Sequence, residues 1–385
     1  MSDLLLKNVR AILPNEEIEN GSLLISDGRI AQINAEEQDT ANILDLRGAR
    51  LFPGFIDIHI HGAVGVDANE ADADGLRRAA KFLAENGVTA WLPSLVPDSS
   101  ENYRKSIAAI DELIRTQDED ESANARALGV HYEGPFVSEK QCGALRTRYF
   151  RIFTGEIGLP RLSAETAVHL TTLAPEIEGG IELIKKLREE NWIVSIGHTR
   201  ADVETLDAAL TVGARHLTHF FNAMTGLHHR ETGVVGWGLS NENITFDIIA
   251  DGIHVAPSML RFAARTKTPA KTVLISDSVS PVGLGNGEFE IWGEKISVKN
   301  GKTENERGSI AGSVITMLDA VRMMLKLGFS PVEVSRMAGL NPARVLGVEA
   351  EYGSIEIGKR ADLTALDPDG NVALTIVGGR IAYQV

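Results

Sequence analysis

The tripeptide His59-Ile60-His61 follows the apolar run Leu51-Phe52-Pro53-Gly54-Phe55-Ile56-Asp57-Ile58. Side chains alternate faces along an extended strand, so both imidazoles point the same way where the strand meets Gly62. Two such imidazoles make half of a divalent-metal site. Further ligand-type residues close other strand-like runs. Glu133 ends His131-Tyr132-Glu133, His198 ends Ser195-Ile196-Gly197-His198, His219 follows Leu217-Thr218, and Asp277 follows Leu274-Ile275-Ser276. The six candidate ligands are therefore His59, His61, Glu133, His198, His219 and Asp277. Their nitrogen and oxygen donors suit zinc, iron or manganese. Such a cation polarises a carbonyl or phosphoryl oxygen and lowers the pKa of water from 15.7 toward about 7, which is the chemistry of metal-assisted hydrolysis.

Each residue alone has a plainer reading. A strand-end histidine is commonly a hydrogen-bonded structural residue, Glu133 before Gly134-Pro135 can cap a turn, and Asp277 before Ser278 can cap a helix. The metal reading rests on all six falling at the same kind of position. The other histidines fit it less well. His216 should face away from His219 and be structural. His131 shares a face with Glu133 and should line the interior, whereas His169 begins its strand and lies at the wrong end. His228 and His229 sit in a loop, where contact with a ligand and simple solvation are equally good readings.

Positioning six residues at one rim requires alternating strands and helices. Strand-like runs recur at Ile56–His61, Thr89–Leu95, Ala127–Tyr132, His169–Leu173, Ile193–Gly197, His216–Phe220, Ile244–Ile249 and Thr272–Ile275. Helical patterns intervene at Gly75–Asn86, Ser100–Thr116, Ile177–Asn191 and Ala201–Val212. Alternation implies parallel pairing. Eight strands imply an α/β fold of the (β/α)8 TIM-like barrel type, with functional groups at the strands' C-terminal ends. An open doubly wound sheet is the alternative, weakened by the lack of Gly-x-Gly-x-x-Gly after the first strand. Both termini carry short apolar strands with the hairpin signals Asp27-Gly28 and Asp369-Gly370. The expected division is a small β-sandwich domain from 1–52 and 350–385, and a barrel from 53–349. Residues 117–122 read as a solvated acidic loop, and 288–303 as a hairpin inserted after the eighth strand.

Composition sets outer limits. The 385 residues are 43% apolar and 24% charged, with a net charge of -15. That charge argues against nucleic-acid or anionic-membrane partners, although a local basic pocket can sit within an acidic shell. Cys142 is the single cysteine, and no apolar run approaches a membrane span. The start of the chain lacks the basic and apolar regions of a signal peptide. A cytoplasmic protein is expected.

The sequence resembles the amidohydrolase superfamily, and within it the N-acetylglucosamine-6-phosphate deacetylases and their N-acetylgalactosamine-6-phosphate relatives. The resemblance runs nearly end to end. It is carried by Pro53-Gly54-Phe55-Ile56-Asp57-Ile58-His59-Ile60-His61-Gly62, Tyr132-Glu133-Gly134-Pro135-Phe136, Gly197-His198-Thr199, Thr218-His219-Phe220-Phe221-Asn222-Ala223-Met224, Ile249-Ala250-Asp251-Gly252-Ile253-His254 and Gly358-Lys359-Arg360-Ala361-Asp362-Leu363. It implies one metal held by Glu133, His198 and His219. A second is implied at His59 and His61, with Glu133 bridging and Asp277 nearby. Zinc is the expected metal. The resemblance also implies that Asn222, Ala223, Arg230 and His254 surround an amino-sugar phosphate, with Arg230 reaching a neighbouring subunit in a homodimer. The expected reaction removes acetyl from an N-acetylated amino-sugar 6-phosphate, Asp277 serving as general acid and base.

One loop departs from the pattern. Relatives usually carry Lys-Gly-Ala-His after Glu-Gly-Pro, and that histidine contacts the acyl carbonyl. Here the loop reads Cys142-Gly143-Ala144-Leu145-Arg146-Thr147-Arg148. The Leu145 side chain has no hydrogen-bond donor, which leaves Arg146 or Arg148 as the replacement, or a different substrate. Two further readings remain. One is an amidohydrolase for another acylated amine or a cyclic amide; the other is a non-catalytic sugar-phosphate sensor.

Overall fold

A computed structural model describes residues 3–36, 42–120 and 122–385. Met1, Ser2 and residues 37–41 of the expected terminal domain, and Glu121 of the expected acidic loop, lie outside the described residues.

Eight parallel strands follow one another around a barrel. They are β1 (Phe55–Ile60), β2 (Val88–Leu95), β3 (Gly129–Glu133), β4 (Val168–Leu173), β5 (Ile193–Ile196), β6 (His216–Leu217), β7 (Thr245–Ile249) and β8 (Thr272–Ile275). All eight residues of β2 are buried, as expected for a parallel strand covered on both faces. The barrel closes through main-chain bonds at the rim: Asp277 N–H donates to His59 O at 2.9 Å, and His61 N–H to Ser278 O at 2.8 Å. Inside, Ile56, Ile58, Leu170, Ile249, Val273 and Ile275 pack with Ala343 and Leu346.

Helices cover the outside. α1 (Ala73–Glu85) starts where the Asp72 carboxylate accepts from Gly75 N–H, and buries Leu76, Ala79, Ala80 and Leu83 at three- and four-residue spacing. α2 (Ser100–Thr116) is capped by Ser99 in the same way, and its bounds match the sequence reading. α3 (Gly180–Glu189) and α4 (Val203–Thr211) are slightly shorter than their patterns. α5 (Gly233–Ser240), α6 (Pro257–Lys267) and α7 (Met317–Lys326) complete the ring. The connection from β3 to β4 carries only the 3-10 turns Glu139–Gln141 and Thr147–Tyr149.

Strands from both ends of the chain form one eight-stranded sheet, in which Arg50–Pro53 joins the N-terminal strands to Leu363–Leu366. The sheet turns back on itself at the Asp27-Gly28 hairpin, where Gly28 O accepts from Ala361 N–H and Gly28 abuts Gly379. Leu6, Val9, Leu23, Ile25, Leu51, Leu363 and Leu374 form its own core.

Two elements differ from the sequence reading. The expected strand His216–Phe220 stops at Leu217, because His219 and Phe221 take left-handed backbone (φ 34° and 80°) and leave the ladder. The expected hairpin at 288–303 is a three-stranded sheet: Gly287–Ile291, Glu294–Lys299 and Lys302–Asn305. Asn300-Gly301, with φ 51° and 80°, makes the second tight turn.

Candidate metal centre

The six candidate ligands meet at the C-terminal mouth of the barrel. In β1 the pairing register shifts between Asp57 and Ile60, a bulge that re-aims the end of the strand. At and just beyond it, the Nε2 atoms of His59 and His61 lie 3.2 Å apart. Asp277 follows β8, and its Oδ1 is 3.3 Å from His61 Nε2 and 3.6 Å from His59 Nε2. Glu133 ends β3; its Oε1 lies 3.0 Å from His198 Nε2 and 3.1 Å from His219 Nε2. Its Oε2 lies 3.3 Å from His61 Nε2. One carboxylate thus touches two ligand groups, His59–His61–Asp277 and Glu133–His198–His219.

Local backbone aims these side chains. His198, His219 and Asp277 all have positive φ, at 48°, 34° and 48°. Non-glycine residues adopt this conformation at a cost, and it concentrates at functional sites. Surrounding bonds hold it. Glu176 accepts from Thr199 Oγ1 and Arg200 N–H just after His198. The buried Asp247 carboxylate accepts from the His219 N–H, and its other oxygen pairs with His216 Nε2 at 3.0 Å. Ser313 N–H donates to Asp277 O at 2.7 Å.

The donor set fits a divalent cation. A tetrahedral ion with legs of about 2.0–2.1 Å has ligand atoms roughly 3.3–3.4 Å apart, and the donors here are separated by 3.0 to 3.6 Å. Two pairs of imidazole nitrogens face each other, His59 with His61 and His198 with His219 at 3.0 Å. Facing lone pairs repel unless a proton or a cation lies between them. His61 Nδ1 lies 3.1 Å from Ser94 O, and His198 Nδ1 2.7 Å from Gln141 O. Those contacts put the ring proton on Nδ1 and free Nε2 as a ligand.

Electrostatics point the same way. Burial disfavours the charged form of His61, but hydrogen bonds to the Asp277 and Glu133 carboxylates outweigh it and raise its pKa to about 10. His219 is likewise raised to about 9, burial being overcome by Glu133. Burial would raise Glu133, yet bonds from His198, His219 and His61 hold its carboxyl well below the usual range. His59 goes the other way: burial, then His131, depress it well below 6.5. Beneath the site, burial pushes Asp57 up to about 7, although Ser276 donates to it at 2.5 Å.

The other sequence candidates divide. Asn222, Ala223 and His254 line a cavity of about 330 Å³ together with His61, Glu133, His198, His219 and Asp277. His254 is oriented by Asp251, 2.6 Å from its Nδ1. Arg230 is exposed and lies off this cavity, as do His228 and His229. His216 is tied to Asp247 and Thr245, and His131 is buried, with Nε2 2.8 Å from Thr172 Oγ1. His169 Nε2 accepts from Leu162 N–H, away from the mouth.

The loop that lacks the family's histidine does not offer its arginines instead. Leu145 lines the cavity. Arg146 turns away to Asp98 at 2.8 Å and to Pro97 O, and Arg148 lies over the Tyr149 ring. Neither replaces the missing donor. The sequence reading missed Trp292. This residue forms the inserted hairpin's tip with φ 55°, lines the cavity, and packs edge-on to His61 at 5.3 Å. Its indole Nε1 is buried with no partner among the described residues. The Trp292-Gly293 pair between two β segments signalled a turn, but nothing local signalled that the turn returns to the barrel mouth.

The sequence profile of the amidohydrolase family matches residues 50–382. The chain is 35% identical over 385 residues to the N-acetylglucosamine-6-phosphate deacetylase of Bacillus subtilis (strain 168), covering 99% of this chain and 97% of that protein. It is 33% identical to the N-acetylgalactosamine-6-phosphate deacetylase of Escherichia coli O157:H7, over 95% of each. Its fold superposes on the crystal structure of N-acetylglucosamine-6-phosphate deacetylase from Pasteurella multocida with a TM-score of 0.91. That match has 28% identity and covers 98% of this chain and 99% of the other.

Proposed function

The chain belongs to the amidohydrolase family, and we propose that it hydrolyses an N-acetylated amino-sugar 6-phosphate to the amino-sugar phosphate and acetate. The observation that carries this reading is the Glu133 carboxylate shared between two ligand groups inside a cavity of sugar-phosphate size. Relatives named as deacetylases along nearly the whole chain favour it over cyclic-amide hydrolysis and over a non-catalytic sensor. The donor set supports a divalent metal, and we take zinc, two per chain, as the specific form. We take the cytoplasm as its location.

A divalent cation bound by the six residues supplies Lewis acidity and makes water a better nucleophile near neutral pH. The protein supplies the rest. Asp277, at the centre of the mouth, takes a proton from the attacking water as the C–O bond forms. It returns that proton to the sugar nitrogen as the C–N bond breaks, because an amine anion is too poor a leaving group to depart. Asn222, Ala223 and His254 hold the sugar, so binding energy away from the amide orients it. Arg230, off its own cavity, serves the phosphate in the neighbouring copy of a homodimer. The test is a turnover screen of N-acetylglucosamine 6-phosphate, N-acetylgalactosamine 6-phosphate, their unphosphorylated forms and dihydroorotate, with metal analysis on the same preparation. Turnover confined to phosphorylated acetamido sugars supports the reading; preference for a cyclic amide, or no turnover by metal-loaded protein, ends it.

A further inference from the structure

The opposite end of the barrel carries a second cavity, of about 530 Å³, at the starts of β5 to β8. Its charged lining residues are Arg188, Arg215, Lys271 and Arg344, and no carboxylate lines it. The chain as a whole has 53 acidic residues against 38 basic ones. A concavity with four cations and no acid therefore runs against the composition. The cations are also poorly neutralised. Arg188 donates to Trp192 O, a main-chain carbonyl. The side chains of Arg215, Lys271 and Arg344 make no ion pair or hydrogen bond among the described residues. Glu356 lies within electrostatic range of Arg344, but pairs with Lys359 at 2.9 Å. Lys271 adds to the positive field on Lys267, whose pKa falls to about 8 chiefly through burial.

The cavity's interior has a different character. Ile193, Val194 and Leu346 give it apolar wall, and the buried Asn341 leaves its Oδ1 without a partner among the described residues while its amide donates to Pro269 O and Thr272 O. His216 also lines it and reaches His219 through Asp247, so the pocket is two hydrogen bonds from a candidate metal ligand. Unpaired guanidinium and ammonium groups around a partly apolar hollow match an anion with an uncharged body. Guanidinium forks favour phosphate oxygens in particular. The protein's net charge of -15 disfavours a polyanionic chain such as nucleic acid. We propose that this pocket is a second ligand site, distinct from the metal centre, for a small organic phosphate monoester.

The test is calorimetric titration of the metal-loaded full-length protein at physiological salt, with glucosamine 6-phosphate, adenosine 5′-monophosphate and inorganic phosphate as separate probes. The comparison protein carries Arg215→Gln, Lys271→Gln and Arg344→Gln together. All three positions are exposed, and the single variants serve as a control if the triple variant folds poorly. We expect at least one probe to occupy a site in the wild type that weakens about tenfold or more in the variant, as loss of charge-assisted bonds requires. Deacetylation kcat/KM should stay within about twofold, because substitutions at exposed positions cost little stability. The order of affinity among the probes identifies the body that the apolar wall accepts. Identical isotherms for wild type and variants with all three probes overturn the proposal, as does a parallel loss of deacetylation, which would assign the effect to the metal centre.

Discussion

The two ends of this barrel are made by the same eight strands, yet their chemistry is opposite. At the C-terminal rim, imidazoles and carboxylates face one another at 3.0 to 3.6 Å, on backbone that is left-handed at His198, His219 and Asp277. At the N-terminal end the charges are cations spread around an open hollow, Arg188 in α3, Arg344 in the helix Asn341–Leu346, and Arg215 and Lys271 just before β6 and β8. The rim concentrates electrostatic cost: buried carboxylates and imidazoles are expensive to assemble unless protons or cations neutralise them. The opposite end leaves its cations in water, where they cost the fold little. A (β/α)8 barrel can therefore confine strain and buried charge to one face while the other carries stability and surface chemistry.

Four measurements break or sharpen that contrast. The largest effect is expected from Asp277→Asn, which keeps the shape and removes the base. It should lower kcat about 10²–10⁴-fold; near-normal turnover with metal bound would remove Asp277 from the proton path. Next, Glu133→Gln touches both ligand groups, and metal content after dialysis should show affinity falling by at least about tenfold. Unchanged stoichiometry would break the bridging role.

The third concerns pH. In the cation-free protein, His61 and His219 have pKa values raised to about 10 and about 9, so both carry protons at neutral pH. A cation needs their neutral nitrogens, so its apparent affinity should fall as pH falls, by up to about a hundredfold per unit for two displaced protons. Proton release on metal addition checks this directly. The same shifts stabilise the cation-free fold below about pH 6.5, and that contribution is lost as pH rises through 9 and 10. Thermal melts of chelated protein should show the loss on the alkaline side. The smallest effect belongs to the other end of the barrel: Lys271→Gln should leave kcat/KM and metal content within about twofold.

The site was largely legible because its residues have uncommon types at a repeated position. His59 lies in β1 and His61 just past its end, and Glu133, His198, His219 and Asp277 each end or follow an apolar run. What was illegible depends on returns through space. Trp292 has no metal-ligand chemistry and reaches the mouth only because the inserted sheet folds back over it. The cations of the N-terminal pocket are scattered from Arg188 to Arg344, with no shared spacing. In the fold, apolar Phe220 made the sixth strand read too long, whereas Asp247 holds the His219 N–H and pulls the chain out of register. The third strand of the inserted sheet went unread because Lys302–Asn305 is short and polar.

The central claim is that one rim gathers a divalent metal and the residues that use it to remove an acetyl group. Acetate release from N-acetylglucosamine 6-phosphate, followed in parallel by thoroughly chelated protein and by the same sample after stepwise zinc addition, tests it most directly. The account predicts negligible release without metal and activity that rises with zinc bound at the rim, lost again in Glu133→Gln. Full acetate release by protein shown to be metal-free would contradict it.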